Sequence, residues 1–113
     1  MSTFLGKIHY TLGQTQHIVA RDDQGNLLEW HWSSAQSWRL ANLSERVGGQ
    51  KIVSDPHGYT LGQTQHIVAR DDQGDLLEWH WSPEQSWRLA NLSERVGGQK
   101  IVGNPKGFSF GRI

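Results

Sequence analysis

The chain has 113 residues, eleven of them basic and eleven acidic, so its formal net charge at neutral pH is zero. This balance, without any run of like charges, argues against binding to nucleic acid or to an anionic membrane surface. The absence of cysteine excludes disulfide bonds and thiolate chemistry.

The N-terminal residues MSTFLGK lack the apolar core of a signal peptide. No stretch approaches the roughly 18 apolar residues of a membrane-spanning helix. We therefore expect a soluble protein without a signal peptide, cytoplasmic by default and not inserted in a membrane.

Two stretches of the chain are nearly identical. Residues 10–53 and 59–102 align without a gap at a period of 49, and they differ at only three positions: Asn26/Asp75, Ser34/Pro83 and Ala35/Glu84. A fixed period of this length indicates one supersecondary unit used twice. Such a unit rarely buries its apolar face alone, so we expect the chain to complete its fold by assembling with copies of itself.

The elements of one repeat follow in chain order. Residues 7–12 are predicted to form an opening strand, and residues 16–21 and 27–32 a β-hairpin with a four-residue connection that contains Gly25. Residues 38–43 fit a fourth strand, with a helical turn after it that is most evident at residues 93–96. In the rival interpretation a longer helix starts at Ser82 and Pro83, an N-cap followed by a proline at the first helical position.

The second repeat opens with residues 58–62, after the turn signal Asp55-Pro56. Residues 106–110 then resemble the opening strand of a third repeat, so the chain holds about nine strands where two four-stranded units need eight. Four short strands per 49 residues are typical of one blade of a β-propeller. A β-trefoil or a small barrel of hairpins is the structural alternative. We divide the chain into a first blade, residues 1–57, and a second, residues 58–113.

A four-residue connection would place Arg21 opposite Asn26 and would fix which side chains share a face of the hairpin. One predicted face then carries Gln16, Ile18, Ala20, Leu27, Glu29 and His31. The other predicted face carries His17, Val19, Arg21, Leu28, Trp30 and Trp32. This register separates His17 from His31.

A cleft between two blades would join the glutamate and histidine of one blade to the tryptophans of the next. Sugar sites combine an aromatic plate with a few fixed polar groups, so such a cleft is a candidate carbohydrate site. Trp30 and Trp32 could equally form a core between blades. Trp38, which follows a polar loop, is the better candidate for an exposed plate.

The segment QHIVARDDQGNLLEWHW at residues 16–32 resembles the tandem repeats of bacterial β-propeller proteins related to fucose-binding lectins. The link at residues 55–59 is similar to the link between such repeats, although Ser37 stands where those repeats have glycine before the later tryptophan. The resemblance implies an all-β propeller, built from two-blade chains and closed into a ring by homo-oligomerisation. Three chains would give six blades, with each sugar, such as a fucoside, held between adjacent blades.

The same resemblance implies the site residues. The family's glutamate corresponds to Glu29 and Glu78, and its tryptophans to Trp32, Trp38, Trp81 and Trp87. The family's arginine is absent, because Ile18 and Ile67 occupy its position. His31 or Gln16, and their copies His80 and Gln65, are the candidates to replace it.

Other chemistry finds less support in the sequence. Six histidines show no compact cluster with metal-ligand spacing, so we expect no metal and no cofactor. Asp22 and Asp23 lie in a turn and lack an acid–base partner, so we expect no catalytic residues and no enzyme. Residues 44–46 fit a solvated turn. The leading hypothesis is a multivalent lectin, and the alternatives are a self-assembling scaffold, natural or engineered, without a sugar ligand and, with least support, a glycoside hydrolase.

Overall fold

The computed structural model describes residues 9–12, as backbone only, and residues 14–111. These residues form two antiparallel four-stranded sheets, one from each repeat, in the orders β1-β2-β3-β4 and β5-β6-β7-β8. The elements are β1 (His9–Leu12), β2 (Thr15–Arg21), β3 (Leu27–Ser33), β4 (Ser37–Asn42), α1 (Leu43–Arg46), β5 (His57–Leu61), β6 (Thr64–Arg70), β7 (Leu76–Ser82), β8 (Ser86–Asn91) and α2 (Leu92–Arg95). The all-β class with four strands per repeat is confirmed.

Five residues, 22–26, separate the paired ends of β2 and β3, one more than predicted. Asp22 N donates to Asn26 O at 3.0 Å, and Gly25 N donates to Asp22 O at 3.2 Å. Gly25 has a φ of +83° and lies against the backbone of Ile52, so its position needs a residue without a side chain. Within the connection, residues 23–25 therefore form a three-residue turn between Asp22 and Asn26, and Gly25 forms a glycine bulge that closes it. It pairs Arg21 with Leu27, whereas the prediction paired Arg21 with Asn26.

The extra residue in the connection shifts the pairing by one, so each side chain of β2 shares a face with the other set of β3 side chains than predicted. Directly paired residues share a face, so the tryptophan face of the first sheet carries Gln16, Ile18, Ala20, Leu28, Trp30 and Trp32. The histidine–glutamate face carries His17, Val19, Arg21, Leu27, Glu29 and His31. His17 is paired with His31, so their predicted separation was wrong. The second sheet has the same register.

The strand prediction for residues 38–43 is confirmed, since β4 and β8 are followed by a helical turn only. The side chain of Asn42 caps α1 by accepting a hydrogen bond from Glu45 N at 3.0 Å, and Asn91 does the same for α2. Residues 44–46 are not simply a solvated turn. Ser44 is fully buried, and its Oγ accepts a hydrogen bond from Leu27 N at 2.9 Å.

The two sheets bury a common core. The histidine–glutamate face of the first sheet packs against the tryptophan face of the second. The fully buried residues of this core include Leu27, Leu43 and Ile52 from the first repeat and Ile67, Leu77 and Trp79 from the second. Their copies in the other repeat are more exposed, because they lie on the outer faces of the pair. Val96 is 75% exposed, whereas its copy Val47 packs against the core.

The prediction of a further opening strand at residues 106–110 was wrong, since residues 104–110 are not part of a regular strand within the described residues. They run beside β5 and hydrogen-bond to it. Gly107 N donates to His57 Nδ1 at 3.2 Å, and Ser109 Oγ donates to Thr60 O at 2.7 Å. None of the helices in the described part of the chain has the length and apolar character needed to cross a membrane.

Ser37 and Ser86 adopt left-handed backbone conformations, with φ of +62° and +59°. A residue with a Cβ is disfavoured there by about 1–2 kcal/mol, against about 0.5–1 kcal/mol of extra chain entropy lost by glycine. We expect Ser37→Gly to raise the free energy of unfolding by roughly 0.5–1 kcal/mol. Chemical denaturation measures this, with Ser34→Gly in the same loop as control. A loss of stability for Ser37→Gly equal to that of the control would contradict the prediction.

Candidate functional site between the sheets

A cleft of about 380 Å³ opens where the two sheets face each other. One wall comes from the histidine–glutamate face of the first sheet and the other from the second repeat. The lining residues are Thr15, His17, Glu29, His31, Arg46, Gln63, Gln65, Trp81 and Trp87. The cleft therefore joins polar side chains of one repeat to indole rings of the other.

A continuous polar network forms the first wall. Glu29 Oε2 lies 2.7 Å from His17 Nδ1, and Glu29 Oε1 lies 3.7 Å from His31 Nδ1. His17 Nε2 lies 2.7 Å from Thr15 Oγ1. The His17 and Glu29 side chains are 5% and 4% exposed, whereas that of His31 is 31% exposed. Since hydrogen bonds fix this buried carboxylate, it is a rigid acceptor, and His31 is the imidazole that a ligand can reach.

The second sheet carries the same network on its outer face. His66 Nδ1 lies 2.9 Å from Glu78 Oε2, and His80 Nδ1 lies 3.9 Å from Glu78 Oε1. The Tyr59 ring stacks on His66 with centroids 5.1 Å apart, and its hydroxyl is 3.5 Å from Glu78 Oε2. Burial, and then the charge of Glu78, raises the pKa of Tyr59 above its usual value. Glu78 is 15% exposed, against 4% for Glu29, because no second wall covers it within the described residues.

Thr64, His66 and Glu78 are in contact in the same sequence as the hydroxyl, imidazole and carboxylate of a catalytic triad. The direction of the hydrogen bonds is different. Thr64 Oγ1 donates to Leu61 O at 2.6 Å, so it can only accept at 2.8 Å from His66 Nε2. The Nε2 of His66 is then the donor to Thr64 Oγ1, and Nδ1 of the same ring lies 2.9 Å from Glu78 Oε2. A nucleophilic hydroxyl would instead donate its proton to Nε2. Thr64 is therefore not arranged as a nucleophile.

The tryptophans divide into core and lining residues. Trp79 is fully buried in the core between the sheets, whereas Trp81 and Trp87, which are paired across β7 and β8, line the cleft. In the first sheet Trp32 is paired with Trp38, which is 43% exposed. A pair of indole rings thus stands at the same place in each repeat.

Five of the predicted site residues meet in the cleft: Glu29, His31, Gln65, Trp81 and Trp87. The other five lie on the two outer faces: Gln16, Trp32 and Trp38 on one, Glu78 and His80 on the other. Ile67, which the sequence resemblance aligns with an arginine, is fully buried in the core. That position has an apolar packing role in this chain.

Four lining residues were not predicted: Thr15, His17, Arg46 and Gln63. A register shifted by one residue would have found His17, since it shares a face with Glu29. Arg46 reaches the cleft from α1, and it makes no ion pair within the described residues. It is the guanidinium of this cleft, supplied by a helical turn and not by the second strand.

The loop difference Asn26/Asp75 lies outside the cleft lining. Lys51 Nζ donates to Asn26 Oδ1 at 2.8 Å, and Lys100 Nζ donates to Asp75 Oδ1 at 2.7 Å. The hydrogen bond from Lys100 holds the pKa of Asp75 below its usual value. The extra negative charge of the second repeat is therefore paired locally.

No family model, no curated protein and no solved structure matches this chain. Among the described residues, no group of three or more histidine, aspartate or glutamate side chains is arranged to hold a metal ion.

Proposed function

We propose that the chain is a carbohydrate-binding, lectin-like β-propeller module that holds sugars between adjacent blades. The observation that carries the proposal is the cleft in which Glu29 and His31 face Trp81 and Trp87. Indole rings stack on the C–H face of a sugar, while a fixed carboxylate and an imidazole satisfy its hydroxyls. Arg46 adds a donor with no ion-pair partner among the described residues, in place of the arginine that the second strand lacks.

The outer faces of the two sheets support assembly with further copies. One outer face presents Gln16, Trp32 and Trp38, and the other presents Glu78 and His80. These are the copies of the residues that already face each other in the cleft. A second chain can therefore repeat the packing between the sheets and complete the second site.

Such contacts are head to tail, so they form a ring when the rotation per chain closes. Three chains giving six blades are the expected assembly, by the family resemblance. Several equivalent sites on one ring would convert weak binding of single sugars into strong binding of a glycan-bearing surface. Fucosides are the first ligands to test.

A scaffold without a sugar ligand is the second candidate. The burial of the His17–Glu29 pair favours it, since these side chains are 5% and 4% exposed and already bonded to each other. In this case the network would serve the packing of the blades and nothing would bind in the cleft.

The double variant Glu29→Gln and Glu78→Gln separates the two candidates. Glutamine keeps the shape but removes the charged acceptor, and loss of a hydrogen bond to a charged group corresponds to roughly 10–100-fold in affinity. We expect glycan binding, measured by calorimetry after a glycan screen, to fall by this factor. The native mass should stay unchanged.

Glu45→Gln with Glu94→Gln is the matched control, because these exposed glutamates of α1 and α2 do not line the cleft. The control should bind like the parent. If the parent binds no glycan in the screen, the lectin proposal fails and the scaffold remains. If the double glutamine variant binds as tightly as the parent, the assignment of the site fails.

A further inference from the structure

Residues 104–110, here called the C-terminal segment, continue the repeat by one step. Gly107, Phe108, Ser109 and Phe110 stand 49 positions after Gly58, Tyr59, Thr60 and Leu61 of β5. Two of the segment's hydrogen bonds to the β5 region, Asp55 N to Asn104 Oδ1 and Ser109 Oγ to Thr60 O, join residues that are 49 apart. The segment thus lies beside β5 with the offset of one repeat.

In both repeats the arginine that ends the second strand contacts the link that follows the repeat, although through different atoms. Arg21 lies 3.7 Å from Asp55, which precedes β5. One repeat later Arg70 Nε donates to Gly103 O at 2.9 Å, just before the segment. Gly107 lies so close to the Tyr59 ring that any Cβ would overlap with its carbon atoms. The segment is therefore fixed on the second sheet at the place where an innermost strand of a following sheet would lie.

The free edge of the segment has no strand beside it among the described residues. Phe108 and Phe110 are 78% and 90% exposed, and their rings contact each other edge to face at 6.2 Å. The copy of Phe108 in β5, Tyr59, is instead stacked on His66 of the adjacent strand β6. The strand that corresponds to β6 in a following copy is β2.

We propose that the C-terminal segment of one chain pairs with β2 of a second copy, in the place that β1 takes within a single chain. The register follows from the repeat: Thr60 is paired with Gln65 and Thr11 with Gln16, so Ser109 pairs with Gln16 of the next copy. Phe108 then stacks on the next copy's His17, as its copy Tyr59 stacks on His66. Each contact between chains then has two parts: the outer faces of the sheets pack together, and the C-terminal segment of one chain replaces β1 beside β2 of the next.

This inference rests on the proposed assembly and adds the exchange to it. It also changes the site, because Phe108 has no hydroxyl, whereas the hydroxyl of its copy Tyr59 lies 3.5 Å from Glu78 Oε2. The completed cleft between chains and the cleft within a chain then differ in one hydrogen-bond donor. In this arrangement the C-terminal segment belongs to the interface between chains, and its partner there is β2 of the next copy.

Pairs of introduced cysteines test the exchange. The full chain contains no cysteine of its own, so every disulfide that forms must join introduced residues. Cross-strand neighbours have Cα atoms about 4.5–5.5 Å apart, within the range of a disulfide. Gln16→Cys with Ser109→Cys should crosslink between chains under mild oxidation. We expect covalent multimers on a non-reducing gel that collapse to single chains on reduction. The matched control, Thr11→Cys with Gln16→Cys, should give less crosslink within a chain once the assembly has formed.

The native mass of the same samples separates the possible failures. If Gln16→Cys with Ser109→Cys stays uncrosslinked in a multi-chain species while Thr11→Cys with Gln16→Cys forms its disulfide within each chain, the exchange is overturned and the assembly stands. If the parent has the mass of one chain, both are overturned. Removal of residues 104–113 should lower the number of chains in the native assembly, and an unchanged number of chains would also overturn the exchange.

Discussion

Trp79→Ala should lower the free energy of unfolding by roughly 3–5 kcal/mol, the usual cost of removing a buried aromatic ring. Trp79 is fully buried between the sheets and packs among Ile67, Leu77 and Leu43. The cavity left by its removal lies at the centre of the contact that holds the two repeats together. Denaturant titration of dilute protein, in which chains are separate, measures the effect.

The chain supplies the matched control for this substitution. Trp30 is the same residue of the other repeat, half-buried on the outer tryptophan face. Trp30→Ala should cost clearly less in dilute protein and should approach the cost of Trp79→Ala in the assembly, where this face is covered. Equal costs at all concentrations would contradict the assignment of the two tryptophans to inner and outer faces.

Trp79→Phe refines the same prediction. Trp79 Nε1 is buried without a hydrogen-bond partner among the described residues. A phenyl ring fills most of the space and removes the unsatisfied donor, so the loss of the indole is partly offset. We expect Trp79→Phe to cost less than half as much as Trp79→Ala.

Val96→Asp should dissociate the assembly while leaving the single chain folded. Val96 is 75% exposed in the chain and lies on the apolar groove formed with Leu76, Leu92 and Ile101. Its copy Val47 packs against the core between the sheets. A charge that is solvated in the free chain would be buried without a partner in the assembly, which is unfavourable by several kcal/mol. The native mass should fall to that of one chain, 12.8 kDa.

Val102→Asp is the control for this experiment. Val102 is 93% exposed, and its copy Val53 remains 40% exposed even between the sheets. Its substitution should leave the native mass of the assembly unchanged. Circular dichroism should show native β-structure for both variants. A multi-chain mass for Val96→Asp would contradict the proposed contact between outer faces.

The sequence was sufficient for the eight strands of the two sheets, but not for residues 106–110 or for the faces of the sheets. Alternation, glycine positions and the repeat predicted four strands per unit, with a helical turn after the fourth. The asparagine that caps this turn was recognised only in the structure. The register depended on whether Asn26 belongs to the turn or to the strand. Asp22 bonds to Asn26 through its backbone and its side chain, which places Asn26 in the turn. This choice shifts the register by one residue and moves His17 to the side of Glu29.

The candidate site was predicted in its composition more than in its geometry. Glu29 and His31 were expected to face tryptophans of the other blade, and they line one cleft with Trp81 and Trp87. Gln65 was expected on the glutamate face of its own sheet, but it is paired with Trp81 on the tryptophan face. The position of Arg46 could not be predicted from hydrophobic periodicity, because α1 has only one turn and is too short to show a period. The direction of its side chains depends on how the cap at Asn42 orients the turn. Ile67, which was predicted to replace an arginine and was not counted among the site residues, lies in the core.

In the proposed assembly each contact joins two different faces, the histidine–glutamate face of one chain and the tryptophan face of the next, and this gives the assembly a direction. Two chains cannot pair symmetrically through the same face, so every added chain must offer the face that the previous one lacks. A Val96→Asp chain can still join through its intact tryptophan face, but it cannot accept the next chain. Mixed with the parent, such a subunit would act as a terminator. The fraction of closed rings should then fall more steeply than the fraction of parent chains, as in a dominant-negative effect.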